Sequence, residues 1–461
     1  MAPWTQMNFV EMGRTMKRNR IHPLSIPLLP GAPGRPASAG FPAVSGLSRI
    51  PGSLSVTGLA RVPVLFAALG LFLMIGLFLP DRADGWTGDN LHVRGYVQGM
   101  PLRISADLPE PLGDGNWMEY RLQNRINVRW TPSNQFTFHW QMRTRVFAGD
   151  LVHDINQLAD QIPGFPRYAE AIDVDDGLVN LSWLVAEQDR WLLHYIPDRL
   201  YLEWNRGDWN VRLGRQRVNW GVNMITNPND IFNIYSFYDF DYPERPGSDA
   251  IRIQRFLGFS SRMELAVSPD RDLENSVAAM LYSFNTRGYD IQLIGGYYRE
   301  RLATGAGWAG NLRDAGFKGE VMFYADIDES GGNRSTNVIA SASIDYMFPN
   351  SLFLVTEVLY NKEGGMDQFS LLAEPLTPDN PSFSRYQFTA QGSFPIHPLV
   401  DGSLAAIWYP DEQAVYLSPS ATWSVMTDLD MRVLAQFFIG SDDSAFASAG
   451  NVVMASLKYN F

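Results

Sequence analysis

The chain contains no cysteine. That excludes a disulfide scaffold, a thiolate metal site and a cysteine nucleophile. Charged residues are sparse at 19%, and the net charge is −12. Such a balance disfavours nucleic acid as a partner. Catalytic spacings are missing too: neither G-x-S-x-G nor H-E-x-x-H occurs, and the six histidines (His22, His92, His139, His153, His194 and His397) are scattered. The chain is therefore expected not to be an enzyme. The acidic stretches Val174-Asp175-Asp176-Gly177 and Asp239-Phe240-Asp241 match no EF-hand spacing. No metal and no cofactor is expected. The mean hydropathy of −0.15 rules out a bundle of membrane-spanning helices.

One long apolar run does occur, near the start. Val64–Leu79 is uncharged and follows Arg61. It is shorter than the ~20 residues that span a bilayer as a helix, and it is read as a signal-peptide core rather than an anchor. Residues 1–61 are rich in Pro, Gly, Ser and Arg, lack periodicity and are expected to be disordered. The reading is thus an extension over 1–61, a leader over 62–83 and the folded part over 84–461. The first 83 residues hold eight basic against two acidic side chains, so the rest of the chain carries −18.

What fills residues 84–461 is period-2 alternation. Tyr120, Leu122, Ile126, Val128 and Trp130 alternate with Glu119, Arg121, Gln123, Arg125, Asn127 and Arg129. Phe136, Phe138, Trp140 and Met142 alternate with Thr137, His139, Gln141 and Arg143. Segments of this kind recur at the ~10-residue length that a tilted strand needs to cross a bilayer. The closing segment Asn451–Phe461 ends in an aromatic, with Val453, Ala455, Leu457, Tyr459 and Phe461 on the apolar face. The expectation is an all-β fold, a transmembrane antiparallel β-barrel of eighteen strands. The glycine-rich segment 302–310 is the weakest of these, and including it makes the count even, as a single-chain bacterial barrel requires; sixteen strands are the alternative. Short turns would face the periplasm and long loops the exterior. The implied location is the outer membrane of a Gram-negative bacterium, with membrane lipid as a partner and Phe461 as the signal read by the barrel-assembly machinery.

If the aromatic face meets lipid, the other face lines a lumen. Inward candidates are Glu119, Arg121, Arg125, Arg129, Arg143, Arg145, Arg199, Glu203, Arg212, Arg252, Lys318, Glu320, Asp345, Arg432 and Lys458, eleven basic against four acidic. A pore lined by Arg and Lys favours anions. Cross-strand pairing that neutralises these charges, as Arg199 with Glu203, is the competing reading. Parity puts Arg215 outward with Val211 and Leu213; a bulge near Gly214 would turn it into the pore.

The segment 199–254 is built around a structured loop. Gly214-Arg215-Gln216 leads to Trp220-Gly221, then Pro228-Asn229-Asp230-Ile231-Phe232-Asn233, then Glu244-Arg245-Pro246-Gly247-Ser248-Asp249. Glycines permit unusual backbone and prolines stiffen the chain, and a short helix is expected from Pro228. On these residues, Trp220, Gly221, Pro228, Asp230, Phe232, Arg245, Gly247 and Asp249 among them, the segment resembles the alginate-export-type outer-membrane porins and related barrels. The resemblance implies an 18-strand-type export or uptake porin whose loop folds toward the pore. The other long loop, 149–197, begins with apolar spacing that suits a short amphipathic helix. The function expected is a passive channel for small anionic or polar solutes or oligosaccharides. The alternative is a loop-closed structural or surface-binding barrel. The oligomeric state is left open.

Overall fold

The computed structural model describes residues 86–107, 114–162, 165–175, 177–233, 244–245, 247–327, 335–364, 376–440, 446 and 450–461. The expected extension and leader lie outside them. Among the described residues no helix is long and apolar enough to cross a membrane.

Every alternating segment forms a strand, and all pair antiparallel in one sheet. Eighteen strands make the wall: β1 Leu91–Asp107, β2 Asp114–Trp130, β3 Phe136–Gly149, β4 Trp191–Arg206, β5 Trp209–Gln216, β6 Ser248–Phe256, β7 Arg262–Ser268, β8 Val277–Thr286 and β9 Tyr289–Tyr298. They continue with β10 Arg301–Leu312, β11 Ala315–Asp326, β12 Thr336–Met347, β13 Phe353–Asn361, β14 Tyr386–His397, β15 Val400–Tyr409, β16 Ala414–Met426, β17 Leu429–Ile439 and β18 Asn451–Asn460. The weak segment 302–310 is β10, paired with β9 through Ala309 and with β11 along its whole length. The count is eighteen. Two further short strands, Trp86–Thr87 and Trp183–Gln188, add to β1 and β4.

The ring closes where β18 pairs with β1, Tyr96 opposite Asn460 through Ser105 opposite Asn451. Two reciprocal backbone bonds between Gly95 and Phe461, at 2.8 and 2.9 Å, finish the seam. Phe461 departs from its expected place. Its ring is 7% exposed rather than open to lipid, because it covers Gly95, which has no side chain of its own. An aromatic that shields a strand glycine is a known way to hold register.

At one end of the barrel every connection is two to five residues long, from 207–208 to 131–135. Gly207 at φ 56° supplies the left-handed residue such a turn needs. All the long connections, among them 150–190, 217–247 and 362–385, lie at the other end.

Burial is inverted relative to a water-soluble fold. Leu213, Trp408 and Leu457 are 55%, 51% and 50% exposed, while Arg125 and Glu320 are 1% and 0% exposed. An outward apolar belt with polar groups inside is stable only where the surroundings are hydrocarbon.

A Cβ at residue 95 would collide with the Arg125 carbonyl oxygen and lie 2.6 Å from the Phe461 ring. Gly95→Leu should therefore open the β1–β18 seam. The expected result is a large loss of the compact, heat-resistant band on unboiled gels; an unchanged band would show that the seam tolerates a side chain.

Candidate functional site

The lumen is narrowed by two loops that fold inward. The first carries α1 (Asp150–Gln161) and α2 (Tyr168–Ile172). Apolar spacing places Leu151, Val152 and Ile155 on one face of α1, which packs with Tyr168 and Ile172 against Met100, Leu102, Ile104, Phe147, Leu192, Val452 and Met454 on the inner wall. Asp150 in the first turn suits the positive helix end. Two polar contacts fix the packing: Trp117 Nε1 donates to Asp154 (2.9 Å) and Tyr168 donates to Glu119 (2.9 Å). The amphipathic helix expected at residue 150 thus lies against the inner wall.

The second loop, 217–233, runs along the opposite wall. Its backbone amides turn to two inward carboxylates. Val222 and Asn223 donate to Glu320 Oε1 and Asn229 to Glu320 Oε2, the last two at 2.7 and 2.8 Å, while Thr226 donates to Glu357 (3.0 Å). Trp220 is 2% exposed, donates to Glu264 (2.7 Å) and meets Phe232 edge-on at 5.1 Å. Gly221 is needed because a Cβ there would strike Asn227. Asp230 ties the loop's ends: it accepts from Trp220 and Gly221 amides and lies 3.8 Å from Arg217 and 3.5 Å from Arg245. Burial holds the Asp230 carboxyl above its usual range, and the two amides work against that. Pro228 is buried, but the expected helix does not form. The Asn229 amide is spent on Glu320 and the Asp230 side chain bonds back to residues 220 and 221, so 228–232 are turns. Gly247 sits where a Cβ would crowd Asp198 and Arg199.

The basic side chains cluster on one side. The inward face of β2–β7 carries Arg121, Arg125, Arg129, Arg143, Arg145, Arg199, Arg212, Arg252 and Arg262, against Glu119, Asp198, Glu203 and Glu264. Many are engaged. Arg125 holds Asp198 in a bidentate pair (2.6 and 3.0 Å) and reaches Gln141 and Asn127. Arg121 pairs with Glu119, Arg212 with Glu203 (3.1 Å) and Arg252 with Glu264 (3.2 Å). Arg199 bonds to the backbone carbonyls of Asp198, Glu244 and Arg245 rather than to Glu203. Arg145 bonds His194 and stands over the Phe147 ring, as Arg121 does, Arg143 is buried, and Arg129 is exposed. Elsewhere on the ring, Lys318 pairs with Asp345 (2.9 Å), Lys458 stands over the Tyr96 ring (4.0 Å) and Arg432 lies on β17.

Arg215 is outside this cluster. No bulge interrupts β5; Arg215 stays opposite Leu200 and Asp249. Gly214 instead takes φ 117°, and Arg215 is 4% exposed between Asp249 (2.8 Å), Asp175 (2.7 Å) and the Val179 carbonyl (2.8 Å). It pins a loop to the wall.

Ser182, His194 and Asp173 also meet, but in an order that does not make a nucleophile. Arg145 donates to His194 Nδ1 (3.1 Å), which leaves the proton on Nε2 to face Ser182 Oγ (2.6 Å), and Ser182 donates to Asp173. A hydrolytic triad needs the serine proton to pass to the histidine. Here the chain runs the other way and secures the loop. His139, stacked on Tyr201 at 4.5 Å, faces Glu203 at 3.4 Å.

No family model matches this chain, and no curated protein matches it. Among solved structures it is similar to OccAB3 of Acinetobacter baumannii, with a TM-score of 0.50 and 11% identity over 80% of this chain and 99% of that one. OccK9 (OpdG) of Pseudomonas aeruginosa aligns with a TM-score of 0.50 and 7% identity over 80% and 97%. Salmonella typhi OmpF in complex with daunomycin aligns at 0.42 and 9% identity over 82% and 99%. At these identities the likeness carries the fold alone. The class is a closed 18-strand β-barrel of outer-membrane porin architecture.

Two substitutions test the lumen framework. Asp198→Ala leaves the buried Arg125 without its bidentate partner and should cost about 3–5 kcal/mol; the urea midpoint of the refolded barrel reads this, and Arg125→Met with Asp198→Leu should recover much of it. Glu320→Ala orphans three amides at about 1–3 kcal/mol each. Hydrogen exchange at Val222, Asn223 and Asn229 should accelerate while β11 stays protected; unchanged exchange would mean the loop is held otherwise.

Proposed function

We propose that this protein is an outer-membrane channel that passes small anionic or polar solutes, oligosaccharides included. The observation that carries the reading is the lopsided charge of the lumen: nine arginines against four carboxylates on the inward face of β2–β7. On the opposite wall, Glu320 and Glu357 are occupied by the amides of the inward loop. An anion in the narrowed lumen therefore meets guanidinium on one side and backbone on the other. Arg129, Arg212 and Arg252 are the residues we assign to the solute path, with Arg121, Arg125, Arg143 and Arg145 shaping the field behind them, and Lys318, Arg432 and Lys458 completing the ring. Arg215 is assigned to the wall instead. The likeness of 214–249 to alginate-export-type porins supports acidic oligosaccharides as one solute class. Membrane lipid surrounds the belt, long loops face outward, and the terminal Phe461 is the feature we assign to recognition by the assembly machinery.

The second reading is a barrel closed by its loops, acting as an anchor or surface receptor. The dense packing of α1 and of 217–233 favours it.

Planar-bilayer recording separates them. The channel reading expects steady conductance with chloride favoured over potassium. One guanidinium is worth about 1 kcal/mol to an anion ~4 Å away in water and about 4 kcal/mol at an effective dielectric of 20. Arg212→Ala with Arg252→Ala should therefore lower the anion preference several-fold, whereas Arg215→Ala should leave it unchanged. Absence of any conductance would favour the closed barrel.

A further inference from the structure

The wall is low on one side. β5, β6 and β7 have 8, 9 and 7 residues, whereas β4 beside them has 16. A tilted strand needs about 9–11 residues to cross the hydrocarbon. β5 starts at Trp209, opposite Arg206, and stops at Gln216, opposite the middle of β4. Above that stop, the edge of β4 left open by β5 is taken by the short strand Trp183–Gln188, which pairs with Trp191–Tyr195. Loop residues thus continue the line of β5.

Their faces match the wall. Leu184 packs inward on the α1 cluster. Trp183 points to the other side and stacks on Tyr195 at 5.3 Å, and the Tyr195 hydroxyl reaches Met142 on the outer face of β3. Tyr195 stands nine positions along β4 from Trp204, one membrane crossing away, the height at which an interfacial aromatic belongs. Leu178, Val179, Trp183 and Val185 are 40%, 53%, 48% and 59% exposed, like Leu213 and Ile251 of the belt below at 55% and 45%.

Six of the twelve backbone polar groups of 177–182 find side-chain partners within the protein. Gly177 and Leu181 amides donate to Asp175, Val179 to Asp249 and Ser182 to Asn180, while the Val179 and Leu178 carbonyls accept from Arg215 and Arg271. Non-strand backbone survives next to hydrocarbon only when its polar groups are taken up in this way.

We propose that residues 177–188 are part of the transmembrane wall: they complete its low side above β5–β7, present Leu178, Val179, Trp183 and Val185 to the acyl chains of the membrane, and are held there by Arg215 between Asp175 and Asp249. The occupant of this patch is lipid, because the patch is continuous with the lipid belt. The inference rests on the barrel reading, and the test keeps the two apart.

The chain has no cysteine, so single-cysteine variants can be spin-labelled cleanly. Val179→Cys and Val185→Cys are compared in phospholipid vesicles with Leu213→Cys on the belt and Asp208→Cys in the short turn. Collision with oxygen reports lipid, and collision with a water-soluble nickel chelate reports solvent. Labels at 179 and 185 should follow Leu213→Cys, with chelate collision several-fold below that at Asp208→Cys. Adding Arg215→Ala should raise chelate access at 179 and leave 213 unchanged. Chelate access at 179 and 185 equal to that at 208, with 213 still in lipid, overturns the proposal. Immobile, dipolar-broadened spectra at 185 overturn it in favour of a second copy of the chain. Chelate access at 213 itself overturns the barrel reading instead.

Discussion

Every backbone N–H and C=O that meets hydrocarbon must find a partner within the protein, since each one left bare costs several kcal/mol. The whole molecule follows from that demand. It makes the sheet close on itself, β18 onto β1, with the last residue bonded to Gly95 at both of its backbone groups. It also governs places where strands run out. Beside the short β5, a strand borrowed from a loop takes the open edge of β4, and Asp175, Asp249 and Arg215 answer the amides and carbonyls that no strand reaches.

Closure turns the usual core inside out. The interior is a lattice of guanidinium and carboxylate, and its coherence depends on partners being present in pairs. Arg125 with Asp198 and Arg212 with Glu203 lie on the same side as the arginine excess, while Glu320 and Glu357 bind the backbone of the inward loop. The carboxylates therefore do two jobs. Those among the arginines reduce the local charge, and those opposite them set the position of the constriction. The excess that remains lies on the inward face of β2–β7.

Much of the fold was legible because a barrel strand is a local object. Alternation locates the strands, and the glycine-rich β10, whose pattern is weak, is supplied by the need for an even count. The inward position of Arg121, Arg125, Arg143, Arg212 and Arg252 follows from the same parity. Parity failed at its margins. Phe461 sits on the outer face by count, yet a glycine on the neighbouring strand gives its ring a place to be covered. Arg215 needed no bulge, because a loop forty residues earlier brings Asp175 to it. The helix anticipated at Pro228 lost to Glu320, nearly a hundred positions away.

The strands and the faces of their side chains were readable from the chain locally, since each depends on side chains two residues apart on one pleated ribbon. Which carboxylate meets which arginine, how far the two loops enter the lumen, and the pairing of Trp183–Gln188 with β4 were settled by the assembled barrel. Those outcomes depend on contacts across the ring between segments far apart in the chain, and no local period encodes them.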